Sequence, residues 1–77
     1  MKLTEAIIKR ITEICNQKGI SICEATLNGG KSPSAIYDLL KGRTKCSKVA
    51  TIYAFCEGAN ITLAEFFDSE LFNNIED

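Results

Sequence analysis

Residues 21–45 constrain the fold more than any other stretch, because signals that start and stop helices crowd into them. Ser21 followed by Glu24 fits a capping box, in which a hydroxyl and a carboxylate each satisfy an orphan backbone donor. Asn28, Gly29 and Gly30 break the helix so begun, since they tolerate the positive φ of a sharp turn. Ser32 and Pro33 open a second helix, with serine as N-cap and proline at the first helical position, where its missing N–H is no loss. Gly42 ends it. At about 100° per residue, Ile36, Leu39 and Leu40 share an arc that must face a core. Ser34, Tyr37, Asp38 and Lys41 share the opposite arc and must face out.

Two short helices joined by a turn of three or four residues form the skeleton of a helix-turn-helix DNA reader. The outer arc of the second helix runs into Arg43, Thr44 and Lys45, which suits base edges followed by phosphates. An ordinary amphipathic surface helix has the same periodicity, so the pattern alone leaves both readings open. Charge distribution adds weight. The net charge is −1, but residues 31–48 hold Lys31, Lys41, Arg43, Lys45 and Lys48 against Asp38, a net of +4. Residues 49–77 hold Glu57, Glu65, Asp68, Glu70, Glu76 and Asp77 and no base, a net of −6. The positive part surrounds the second helix of the pair.

The rest of the chain supplies scaffold. Its 77 residues make one small domain, 1–77, near the lower limit for folding on hydrophobic burial. A first helix is expected over 4–18, with Leu3, Ile7, Ile11 and Ile14 as its apolar stripe, Cys15 at the border, Gly19 as stop and Ile20 as seal. The second helix covers 22–28, turning Ala25 inward, with Ala25 or Thr26 permitting close approach and Leu27 partly exposed. The third covers 33–41. A fourth is expected over 48–57, with Val49, Ile52, Tyr53 and Cys56 on its inner face, Phe55 off that face, and Gly58 as its stop. Thr62 and Glu65 form a second capping box opening a short fifth helix, whose apolar residues are Leu63, Phe66 and Phe67. No strand signal competes, so the fold class is all-α, a compact bundle of five short helices. Cys15, Cys23, Cys46 and Cys56 make no C-x-x-C pair, and the chain has no histidine to complete a mixed zinc site, so the thiols read first as small core hydrophobes, with a redox switch or a four-cysteine metal site as the alternatives. No run of about 18 apolar residues occurs, and the charged, helically periodic N-terminus is unlike a secretory signal. A cytoplasmic protein without a membrane span is the expectation.

With its helices placed, the sequence resembles the Cro-like (Xre) helix-turn-helix family of phage and bacterial repressors over residues 11–72. The carriers are R-I-T-E-I-C-N-Q-K-G-I-S from Arg10, S-P-S-A-I-Y-D-L-L-K-G-R-T-K from Ser32, and G-A-N-I-T-L-A-E-F-F from Gly58. The resemblance implies a lambda-repressor-like DNA-binding domain whose reading unit is 21–45 and whose third helix lies in the major groove. It places Pro33, Ser34, Ala35, Tyr37 and Asp38 at base contacts. It places Ser21, Ile22, Lys31, Ser32, Lys41, Arg43, Thr44 and Lys45 at phosphates. The sequence departs from the family pattern at Gly29, Lys31, Pro33, Asp38 and Lys48.

The expected function is therefore a sequence-specific DNA-binding transcriptional regulator, a repressor in the first instance, acting on double-stranded DNA without catalysis, cofactor, metal or small-molecule ligand. A single module buries too little surface for high specificity, so a homodimer on half-sites ~34 Å apart is expected. Residues 62–77 are its candidate dimerisation tail, through Phe66, Phe67, Leu71, Phe72 and Ile75, although Phe66 and Phe67 fit the bundle's own core as well. The alternative is a protein-interaction or antitoxin-like module on the same fold, with weak or no DNA binding. It is motivated by the acidic C-terminal segment and by Pro33 standing where a long polar reader is usual.

Overall fold

In a computed structural model, residues 1–30, 34–41 and 48–76 are described, without the side chains of Ala35 and Leu39. Among the described residues every regular element is helical. The order is α1 (Leu3–Lys18), α2 (Ile22–Asn28), α3 (Ser34–Leu40), α4 (Val49–Ala59) and α5 (Leu63–Phe67), followed by one turn of 3-10 helix at Glu70–Phe72.

Local chemistry accounts for the boundaries. At the end of α1, Gly19 takes φ 65°, and the N–H groups of Gly19 and Ile20 both donate to the Cys15 carbonyl. Ile20 packs against the core, completing the hydrophobic contact that accompanies such an ending. At α2, Ser21 Oγ accepts from the Glu24 N–H at 3.0 Å. The expected capping box is only half formed, because the Glu24 carboxylate accepts from the Ser21 hydroxyl at 3.3 Å rather than from its backbone N–H. The Thr62 box is complete, with both reciprocal bonds made.

The core is built around α4, against which α1, α2 and α5 all pack. Its fully buried members include Phe55, Phe66, Ile11, Ile36 and Cys56, with Ile7, Ile14 and Ile52 beside them. Phe66 meets Phe55 edge-on at 6.1 Å and Phe67 at 4.9 Å, and Phe72 closes the group. Burial pushes the Cys56 thiol up to about 11, an effect that nearby Arg10 offsets only in part, and it raises Cys15 as well. Both thiols are buried and neutral, as small hydrophobes are. Cys23 is half-buried on α2, and Cys46 lies outside the described residues.

Two expectations for α4 are corrected. Its inner face is Thr51, Ile52, Ala54, Phe55, Cys56 and Ala59, so Phe55 is central to the core while Val49 and Tyr53 are 64% and 50% exposed. Gly58 does not stop the helix. The helix continues to Ala59, and Asn60 ends it in the left-handed region at φ 63°, with the N–H of Ile61 donating to the Cys56 carbonyl. Gly58 has a different task. A Cβ on it would lie 1.5 Å from the Ala25 carbonyl oxygen, and one on Gly29 would lie 1.8 Å from the Ala54 carbonyl oxygen. Helices α2 and α4 therefore touch backbone to backbone, at a spacing that only glycine permits at these two positions. Gly29, expected to supply positive φ, has φ −82°; the positive φ of the turn belongs to Gly30, at 82°.

Arg10 ties the two ends of the bundle together. Its Nε donates to the Phe66 carbonyl at 2.7 Å and its Nη2 to the Glu65 carbonyl at 2.7 Å, while its Nη1 pairs with Glu13. A cation thus caps the C-terminal carbonyls of α5, where the helix dipole favours it. Arg10→Met keeps the aliphatic stem but removes the donors. Because the Arg10 side chain is only 13% exposed, the loss is expected to cost about 2 kcal/mol, seen as a lower urea midpoint at unchanged slope. An unchanged midpoint would show that water replaces the guanidinium at no cost.

Candidate nucleic-acid interface

The α2–α3 pair is assembled from the α2–α4 contact outward. Ala25 is fully buried against α4, and Thr26 is fully buried with its hydroxyl donating to the Ile22 carbonyl at 2.7 Å. These short side chains fix α2 on the scaffold. Beyond the Gly29–Gly30 turn, α3 is anchored by Ile36, which is fully buried, and by half-buried Leu40; it packs against α1. The inward arc read from the sequence is confirmed at both residues. Leu39, the third member of that arc, has its side chain outside the described residues.

The outward arc is found as expected at three of its four members. Ser34, Tyr37 and Lys41 are exposed, and Asp38 is half-buried. Tyr37 is 38% exposed. Lys41 follows the last turn of α3, its N–H donating to the Tyr37 carbonyl at 2.9 Å. Ser21 is exposed at the start of α2. The Ile22 side chain instead packs against the core, leaving only its backbone for a phosphate contact. Lys31, Ser32, Pro33, Arg43, Thr44 and Lys45 lie outside the described residues, as does the side chain of Ala35.

The tail residues divide. Phe66 is 0% exposed and belongs to the bundle's core, so it is removed from the candidate dimer contacts. Phe72 is half-buried and packs on the same core. Leu71 and Ile75 are half-buried, and Phe67 is 40% exposed although its ring lies 5.0 Å from that of Phe72. The Met1 amine lies 3.8 Å from the Glu76 carboxylate, and the Glu76 N–H donates to the Met1 carbonyl at 3.1 Å, so the tail is tied back to the N-terminus.

Sequence reasoning missed the outer face of α4. Val49, Ala50, Tyr53 and Glu57 are all exposed there. The Tyr53 phenol is hydrogen-bonded to the Glu57 carboxylate, which raises its pKa above the ordinary value. The missed signal was the pair of small residues, Ala54 and Gly58, which mark the side that α2 covers and so place Val49 and Tyr53 outside. Among the described residues no group of histidine, cysteine and carboxylate side chains could hold a metal ion, and no helix is long and apolar enough to cross a membrane.

No protein-family model matches the chain, and no curated protein matches it. Among solved structures, the crystal structure of the prophage Lp1 protein 11 is similar, with a TM-score of 0.81 and 25% sequence identity. The match covers 97% of this chain and 100% of that one. The whole all-helical arrangement, and not the helix pair alone, is therefore shared with a prophage protein.

Proposed function

We propose that this chain is a DNA-binding regulator of the Cro-like helix-turn-helix kind, which lays α3 in the major groove and acts without catalysis. One observation carries the reading. The exposed arc of α3, Ser34, Tyr37 and Lys41, belongs to a helix pair fixed on the scaffold at backbone contact, and α3 lies within residues 31–48, whose net charge is +4. The likeness to a prophage protein over the full length supports a phage-type regulatory role. In this reading Lys41, Arg43 and Lys45 displace condensed counterions from phosphates, and Ser34 and Tyr37 reach base edges. Asp38 accepts from a cytosine amino group.

Titration of labelled duplex tests it. With Lys31 these cations make about four phosphate contacts, which predict an affinity that falls roughly 10²-fold between ~50 and ~200 mM salt. Replacing Arg43 and Lys45 together by alanine should weaken binding and flatten the salt dependence by about two contacts. Absence of binding at ~50 mM salt, or binding indifferent to that double substitution, would sink the proposal and leave the protein-interaction reading.

A further inference from the structure

The seven residues of α3, Ser34–Leu40, include no arginine, lysine, asparagine or glutamine, the side chains that read guanine or adenine through paired bonds in the major groove. The middle of its outward surface is an acid instead. Ile36 is fully buried and Leu40 half-buried. At about 100° per residue, Asp38 lies diametrically opposite the midpoint of that pair. Ser34 and Lys41, both exposed, flank it within about 60°. Asp38 is itself half-buried and takes part in an interaction within the chain. A carboxylate has about four acceptor sites, so room remains for a further donor.

A carboxylate at that place acts on a duplex in two ways. It repels phosphates and the acceptors of the groove, which are guanine N7 and O6, adenine N7 and thymine O4. It accepts only from an amino group. Adenine's amino group stands between two acceptors, its own N7 and the thymine O4, whereas cytosine's has guanine O6 on one side and a carbon edge on the other. Cytosine therefore fits with least repulsion. We propose that Asp38 is the specificity-determining residue of α3 and that it works by exclusion. It admits a cytosine amino group opposite the middle of the helix and penalises every other base there, while lowering affinity for DNA of any sequence. Exclusion outweighs attraction because a charge desolvated without a donor loses more than a matched one gains. This inference rests on the DNA-binding reading.

Duplexes are selected from a random pool with the wild-type chain, and the enriched duplex is then titrated beside its single-base variants. One cytosine should be required, and replacing it by any other base should weaken binding roughly 10-fold or more. Asp38→Asn should move the preference at that position to adenine, whose N6 and N7 an amide meets with its acceptor and its donor. Asp38→Ala should bind all four variants alike. Both substitutions should raise affinity for a duplex of unrelated sequence several-fold, since a like charge is removed from the contact. Circular-dichroism melting shows which variants are folded; if one is not, the other and the wild-type order of bases decide. A residue that only holds α3 together would change the melting temperature and leave the order of bases as it was. That result overturns the proposal, as does a wild-type chain that binds DNA without requiring a cytosine. A wild-type chain that binds no duplex at ~50 mM salt sinks the DNA-binding reading first, and this inference with it.

Discussion

Gly58→Ala should remove a large share of this protein's stability. Two effects oppose each other at that position. Alanine is a better helix former than glycine by about 1 kcal/mol in a helix interior, and Gly58 is interior to α4. Against that, the new Cβ would sit 1.5 Å from the Ala25 carbonyl oxygen, 2.5 Å from its carbon and 3.0 Å from the Gly29 nitrogen. Those are backbone atoms of a helix and cannot swing aside as the end of a side chain does. Overpacking a yielding site costs about 1–3 kcal/mol, and this site cannot yield without moving α2 away from α4. The clash wins, by roughly 3 kcal/mol or more against a total stability of about 4–12 kcal/mol for a chain this size. Gly29→Ala should behave alike, with its Cβ 1.8 Å from the Ala54 oxygen. Gly19→Ala is the comparison: nothing lies within 4 Å of its Cβ, and only the left-handed backbone, at φ 65°, is strained, at about 1–2 kcal/mol. Thermal melting of the three variants decides it. If Gly58→Ala melts with Gly19→Ala, the close contact of α2 with α4 is wrong. In the proposed function the same variant should also lose DNA binding, because α2 positions α3.

Phe66→Ala is the second large effect, expected at about 3–5 kcal/mol. Phe66 is 0% exposed, and its ring is shared between Phe55 of α4 and Phe67 and Phe72 of the tail. Its removal opens a cavity at the junction of α4 and α5, and it takes from Phe72 the partner against which the 3-10 turn rests. Amide exchange should therefore quicken first over residues 63–76, ahead of α1 and α4, as a low-stability segment opens before the core. Phe67→Ala, at a 40% exposed position, should cost on the order of 1 kcal/mol. Equal losses for the two would mean that the tail packs through Phe67 instead.

Much of this architecture could be read along the chain. The range of α2, Ile22–Asn28, follows from Ser21 and the turn behind it, and the start of α5 follows from Thr62 and Glu65. The inward arc of α3 was legible at Ile36 and Leu40, and its outward arc at Ser34, Tyr37 and Lys41. Each of these depends on groups within one or two helical turns, so local hydrogen bonding and a 3.6-residue period suffice to define them.

The orientation of α4 was not legible in the same way. Apolar residues surround most of that helix, so periodicity offers several possible inner faces and selects none. Which arc is buried was decided by α2, a segment about 30 residues away in sequence, pressing on Ala54 and Gly58. The same long-range contact changed the meaning of two glycines, from helix breakers to points of backbone approach. Arg10, one of nine basic residues by composition, became the cap of α5 only once the fold brought the Glu65 and Phe66 carbonyls to it. The sequence by itself determined where helices begin, where most of them end and how the chain's charge is divided, because those are local or additive properties. Which faces meet, and so which side of α4 remains exposed, was decided by the tertiary structure, because close packing depends on shape between segments that the chain order does not bring together.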